Sequence, residues 1–407
     1  MNSGTDNKTQ HEHLTPRGVA HPEGALRILM IDSETTWRGG QNQLALLVRG
    51  LREYGVDLRV AAPPEAAIFE NEDLRGIARV PLTMRNGMDL VAAARLAHHL
   101  QRERYDVLHC HSSHAHSTAF LATRPRKLLR NDTPSGTLPR IVVSRRVAFP
   151  IARRGPSALK YRHADLYLAI SSAVRDALTA CGVDENQITL VPSGVDVDAL
   201  RTRRSRDRVR GELGIDRHSR VIGTIAALTA NKSVGDLVQA ARFVADQVSD
   251  LRVIIVGEGP AHAEIEMLVA ALGLQERVML TGFRDDAHDV LAALDCFVLP
   301  SRVEGLGTSI MDAHVLGVPV VATRTGGIPD LVQDGENGLL VPPGDPQVLG
   351  NAIVRMLCDG GLRERCVNNA RARARRYDYR NMVQGTMDAY QAVTGRPRTL
   401  DAFGLQP

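Results

Sequence analysis

Residues 296–332 read CFVLPSRVEGLGTSIMDAHVLGVPVVATRTGGIPDLV: an apolar run, a glycine-bearing loop, a helix-length segment, then a second apolar run and a glycine pair. CFVLPS (296–301) and PVVATR (319–324) are short and nearly continuous in apolar residues, without the alternation of a half-exposed strand. Strands of that kind are covered on both faces and lie in parallel sheets. Further runs repeat the pattern on either side. Six fall in the first half: 26–32, 56–63, 106–112, 140–146, 166–172 and 188–194. Six more fall in the second, at 220–228, 251–259, 277–283, 296–301, 319–324 and 338–344. Strand runs alternating with helix-length segments predict an α/β protein with two facing, Rossmann-like, doubly wound domains and a cleft between them.

A chain of 407 residues is long for one core, which fits two domains. The expected division is a disordered tail over 1–24, a first domain over 25–195 and a second over 196–376. A helix over 377–394 is expected to cross back to the first domain, with a tail over 395–407. The seam falls in PSGVDVDALRTRRSRDR, where a strand gives way to an arginine-rich stretch. Asp378 is the expected N-cap of the last helix.

Composition narrows the function classes. With 43% hydrophobic and 24% charged residues the chain reads as globular, not disordered or fibrous. No apolar run reaches the ~20 residues that span a bilayer, and the polar N-terminus lacks a signal-peptide core. The five cysteines are scattered with no CxxC pair, which fits free thiols in a reducing cytoplasm. Net charge is only +4, yet Leu121 to Arg162 holds eleven Lys or Arg against one acid, Asp132. Such a patch fits an anionic partner or a solvated, arginine-rich surface. Nucleic-acid binding ranks last, because at 4% aromatic residues there is no stacking platform.

The residues with chemistry fall at strand ends, where ligands of open α/β sheets bind. Gly305 and Gly307 let a backbone approach a ligand, and the free amides of a helix starting near Thr308 favour an anion such as a diphosphate. Glu304 and Asp312 flank that loop, placed to accept hydrogen bonds from sugar and ribose hydroxyls. Taken singly, Glu304 also reads as loop surface and Asp312 as a carboxylate favoured near a helix N-terminus. Lys232, in IGTIAALTANKS, is a cation just past a strand. Gly39 and Gly40 in WRGGQNQ mark a second phosphate-sized turn. DVLHCHSSHAHS (106–117) carries four histidines, but no nearby acid completes a metal site, so a polar active-site role ranks above zinc. In VGEGP the third glycine of a dinucleotide fingerprint is missing, leaving a strand-to-helix turn near the nucleotide.

Assembled, these motifs resemble the family 4 retaining glycosyltransferases of the GT-B fold, over roughly Leu26 to Val393. The most specific part is 301–332 with GLLVPPGD behind it; WRGGQNQ, DVLHCH, AISSAVRDAL and VPSGVD support it. The resemblance implies transfer of a sugar from a nucleoside-diphosphate donor, without metal or other cofactor. Glu304 would hold the donor sugar, the amides of Gly305, Leu306, Gly307 and Thr308 the sugar and diphosphate, and Asp312 the ribose. Lys232 would be the diphosphate cation, His111 would contact the transferred sugar, and Gly39 and Gly40 would form the first-domain loop. A glycan or lipid-linked acceptor is implied. The basic stretch favours an anionic one, such as a lipopolysaccharide-core or phospholipid precursor, met by peripheral contact at the inner membrane face.

Two positions depart from the family pattern. Ala227 stands where an arginine is usual, with Ser233 following the lysine in place of glycine, and Asp312 stands where glutamate is usual. Arg145 and Arg146, in SRRVAFP, are the candidate replacement cations. An inactive nucleotide-binding relative is the alternative, and a nucleotide-sugar epimerase or hydrolase the nearest enzymatic rival.

Overall fold

The computed structural model describes residues 25–129 and 138–396. The expected tail over 1–24, all but Gly395 and Arg396 of the expected tail over 395–407, and part of the basic stretch around Asp132 lie outside the described residues. Strands of the first half are β1 (Arg27–Ile31), β2 (Asp57–Ala62), β3 (Ala78–Pro81), β4 (Val107–Cys110), β5 (Arg140–Arg145), β6 (Leu166–Ala169) and β7 (Ile188–Leu190). Those of the second half are β8 (Arg220–Ile225), β9 (Leu251–Val256), β10 (Val278–Gly282), β11 (Cys296–Leu299), β12 (Val320–Thr323) and β13 (Leu339–Val341). All pair in parallel, in the orders 3-2-1-4-5-6-7 and 10-9-8-11-12-13.

The interior strands β4, β6, β11 and β12 are buried along their whole length, as their unbroken apolar runs require. β3 departs from the expected six strands. Its sequence ARVP is largely exposed at the sheet edge and ends in a proline, so no apolar run announces it. Several helices begin on a side-chain cap: Ser171 accepts from Val174, Asp345 from Val348, Asp359 from Leu362 and Asp378 from Arg380.

Two chain passages join the domains side by side. Val195 bridges to Asp378, with its amide donating to Tyr377 O and its carbonyl accepting from Tyr379 N. Gln43 clamps the same place, donating to Gly194 O at 2.7 Å and accepting from Gly194 N at 2.8 Å. A side chain at Gly194 would overlap the Tyr379 backbone, so glycine is required there. The last helix, Tyr379–Thr394, packs on the helix Gly39–Arg52 and contributes Met382, Val383, Met387 and Tyr390 to the first-domain core. The arginine-rich stretch after the seam packs on the second domain: Arg204 pairs with Asp286 and Asp289, and buried Arg210 pairs with Asp295 at 2.8 Å.

Candidate donor site at the facing strand ends

Each sheet reverses its winding once, between β1 and β4 and between β8 and β11. Crevices at such reversals are where open α/β sheets take ligands. Lys232 follows β8 and Glu304 follows β11; Asp32 follows β1 and His111 follows β4. Both reversal points therefore carry polar side chains.

In the second domain the chain leaves β11, runs through 300–307 and enters the helix Thr308–Leu316. Gly307 has φ of 92° and caps that helix through its carbonyl alone, which accepts from the Ile310 amide at 2.9 Å, so no side chain caps the first turn. Leu306 turns into the core and offers only backbone to a ligand. The TGG turn after β12 lies directly beneath. A Cβ on Gly326 would overlap the Glu304 carbonyl oxygen, and one on Gly327 the Gly305 carbonyl oxygen. These glycines are thus spent on backing the loop. The VGEGP glycines serve the same kind of purpose: side chains at Gly257 and Gly259 would overlap the carbonyls of Ala226 and Leu228.

Glu304 is held on three sides. Its carboxylate pairs with Lys232 Nζ, accepts from Ser301 Oγ at 3.2 Å and accepts from the Gly305 amide at 3.1 Å. Arg302 N donates to Asn231 O at 2.8 Å, tying the lysine turn to the same loop. Ser233, next to Lys232, is the one non-glycine residue with positive φ among the described residues, at 45°. Serine there carries strain that the family's glycine would not, and such strain gathers at ligand sites. Asp312, one turn into its helix, has Oδ2 3.7 Å from His288 Nε2. The neighbouring Asp312 carboxylate, outweighing burial, raises the His288 pKa above its ordinary value.

The first domain faces this loop closely. Ser171 Oγ donates to Gly305 O at 2.7 Å, Ser172 N donates to Asp330 at 2.7 Å, and a Cβ on Gly305 would overlap the Arg146 carbonyl. Gly39 and Gly40 open the helix Gly39–Arg52, and a Cβ on either would meet no heavy atom within 4 Å. His111, 9% exposed, has Nδ1 3.2 Å from an Arg146 guanidinium nitrogen, and burial drives its pKa well down. The His109 ring lies 4.0 Å from that of His111. His109 joins Tyr390 Oη at 2.5 Å and Ser144 Oγ at 2.8 Å, and buried His116 sits edge-on to Tyr161 and Tyr167. Among the described residues no group of three His, Cys, Asp or Glu is arranged to hold a metal ion.

Of the two candidate replacement cations only Arg146 has its guanidinium beside His111 and its carbonyl against Gly305. Arg145 ends β5 on the inward face, where its guanidinium donates to Tyr161 Oη and to Phe149 O at 2.6 Å. Asp32 and Gln41 were not expected from sequence. Asp32 is fully buried, Gln41 Nε2 donates to its Oδ2 at 2.7 Å, and burial raises its pKa. The signal was present in MIDSE and GGQNQ, as a carboxylate ending an apolar strand and polar residues on a buried helix face.

Comparison with known proteins accords with this geometry. Residues 37–199 match the model of Glycosyltransferase Family 4, and residues 205–373 that of Glycosyl transferases group 1. N-acetyl-alpha-D-glucosaminyl L-malate synthase of Bacillus anthracis is 28% identical over 286 residues, 70% of this chain and 73% of its own. Alpha-D-kanosaminyltransferase of Streptomyces kanamyceticus is 34% identical over 173 residues, 42% of this chain and 44% of its own. The crystal structure of Anabaena HepE in complex with UDP-glucose superposes with a TM-score of 0.77 at 22% identity, covering 90% of this chain and all of that one. With the two family models together spanning both domains, the protein belongs to the group 1, family 4 glycosyltransferases.

Proposed function

We propose that the protein is a retaining, metal-independent glycosyltransferase that moves a sugar from a nucleoside-diphosphate donor to a glycan or lipid-linked acceptor. The observation that carries this reading is the pairing of Lys232 with Glu304 at the mouth of a glycine-backed loop whose helix amides have no side-chain cap. A cation, a hydroxyl-accepting carboxylate and a helix N-terminus within one loop are the groups that a sugar joined to a diphosphate needs. In this reading the diphosphate lies on the amides of Gly305 to Thr308 with Lys232 over it, Glu304 takes the sugar hydroxyls and Asp312 the ribose. His111 faces the sugar from the first domain, and Gly39 and Gly40 leave room for phosphate or acceptor.

No nucleophile is needed. The acceptor oxygen attacks C1 on the face the diphosphate leaves, and its proton passes to the departing phosphate oxygen. Positioning and charge stabilisation then supply the rate, with no cofactor beyond the donor. Among the described residues no helix is long and apolar enough to cross a membrane. The basic stretch supports an anionic acceptor met peripherally at the inner membrane face, in envelope glycan synthesis.

Uridine diphosphate sugars are the first donors to test, given the UDP-glucose complex of the HepE neighbour. Purified protein is incubated with UDP-, GDP- and ADP-sugars, and thermal shift and release of nucleoside diphosphate are followed. Slow hydrolysis without acceptor is expected from one donor class, and product analysis by NMR gives the anomeric configuration. Ala227, lacking the usual charge, favours a second reading as a nucleotide-binding protein without turnover. Thermal stabilisation with no diphosphate release under any condition would select that second reading.

A further inference from the structure

We propose that Arg146 is the first-domain cation of the donor diphosphate, supplying across the cleft the charge that is missing at Ala227; this rests on the donor reading above. Asp32, His111 and Arg146 each follow directly on one of three adjacent strands, β1, β4 and β5, so their side chains share one end of the sheet. Arg146 is the member that also touches the second domain, because its carbonyl abuts Gly305 at the start of the donor loop.

Its charge is unspent. The guanidinium contacts His111 Nδ1 at 3.2 Å, yet it forms no ion pair among the described residues and its Nε has no partner. A charge partly withdrawn from water is normally paired, and Arg146 is half-buried. Burial accordingly lowers its pKa to about 10, with Asp32 offering partial relief through space. Two neighbours share this incompleteness: Asp32 Oδ1 and His111 Nε2 are also buried without partners. Three orphaned polar atoms at one strand-end cluster mark the surface that a polar, anionic ligand completes. Arg145 also lacks an ion pair and a partner for its Nε, but both its terminal nitrogens donate within the first domain, to Tyr161 Oη and Phe149 O, and Lys232 is paired with Glu304.

Arg146 then acts on the step in which the bond from C1 to the β-phosphate oxygen breaks. The electron pair leaves on that oxygen, and the guanidinium shares the added negative charge with Lys232. The acceptor oxygen forms the new bond to C1, and its proton goes to the departing diphosphate. A planar guanidinium can hold two phosphate oxygens through a fixed pair of parallel N–H bonds, a geometry that an ammonium lacks.

The test compares binding of UDP, GDP and ADP with that of UMP, GMP and AMP by calorimetry on the full chain. Wild type, Arg146→Met, Arg146→Lys and Arg145→Met are measured, and thermal unfolding shows which variants are folded. Arg146→Met is expected to lower diphosphate affinity by about 10²-fold with monophosphate affinity little changed. Arg146→Lys should recover part of the loss, and Arg145→Met should leave the ratio of the two affinities as in wild type. If Arg146→Met does not fold, Arg146→Lys alone reads the same ratio, with a smaller fall expected. Wild type binding no nucleoside diphosphate would overturn the donor reading itself. Wild type binding one, with the ratio unchanged in both Arg146 variants, overturns the assignment of Arg146 alone.

Discussion

Gly39 and Gly40 give a prediction in which stability and activity move in opposite directions. Both open the helix Gly39–Arg52, neither has positive φ, and a Cβ at either position would meet no heavy atom within 4 Å. Nothing in the protein itself forbids alanine there. Glycine in a helix costs roughly 0.5–1 kcal/mol relative to alanine, largely through unfolded-chain entropy. Gly40→Ala should therefore stabilise the first domain by about 0.5 kcal/mol, towards the low end because the first turn is the least constrained. At about 2–4 °C per kcal/mol for a unit of 150–250 residues, the melting temperature rises by ~1–2 °C. The double variant should rise by about twice that, and differential scanning calorimetry resolves such a shift.

Activity should fall in the same variants. If a phosphate or acceptor oxygen packs on the amides of residues 39 and 40, a methyl group there pushes it away by about 1 Å. Misplacement of that size can cost on the order of 10²-fold in rate. Steady-state kinetics with the best donor from the screen would show kcat/KM falling while the melting temperature rises. A lowered melting temperature would mean that the space around these glycines is already filled. A raised one with unchanged kinetics would mean that no ligand approaches the turn.

Gly305→Ala should hold the domains apart, because its Cβ would overlap the Arg146 carbonyl; small-angle scattering should show a larger radius of gyration, and kcat should fall. Lys232→Met removes the donor-side cation and leaves Glu304 with only Ser301 and the Gly305 amide; kcat/KM should drop by about 10²–10³-fold, and a drop of less than about tenfold counts against its role. Ser233→Gly relieves the left-handed strain at φ 45° and should stabilise by roughly 0.5–1 kcal/mol, read as a raised midpoint in urea. His288, with its pKa raised by Asp312 and further by Asp289, contributes fully below its unfolded value near 6.5 and loses that contribution as pH rises through the higher folded value. The melting-temperature gap between wild type and His288→Asn should be widest in acid and close in alkali, and a gap independent of pH refutes the pairing.

Why some of this could be read from the sequence, and some could not, follows from what local residues encode. An interior parallel strand must be apolar on both faces, so β4, β6, β11 and β12 announce themselves as unbroken runs. β3 does not, because an exposed edge strand needs no such run. In the second domain Glu304, Gly305, Gly307 and Asp312 lie within nine residues, so one loop shows their common purpose. In the first domain Asp32, His111 and Arg146 are spread over more than a hundred residues. What makes them neighbours is the strand order, in which β1, β4 and β5 are adjacent. The sequence places each beyond an apolar run but carries no signal of which runs pair.

The sheets also explain why the two halves of the site depend on each other. The second domain contributes Lys232 and Glu304, which satisfy one another across the reversal between β8 and β11. The first contributes Arg146, His111 and Asp32, which retain unsatisfied atoms across the reversal between β1 and β4. A ligand that takes Glu304 through its hydroxyls releases Lys232, and its negative charge then meets both Lys232 and Arg146. On the proposed reading, donor binding costs the second domain an ion pair and gives the half-buried Arg146 a partner, so its free energy depends on the domains being closed on each other. Separating them, as Gly305→Ala is designed to do, should weaken donor binding even though Lys232, Glu304 and the helix amides are all still present.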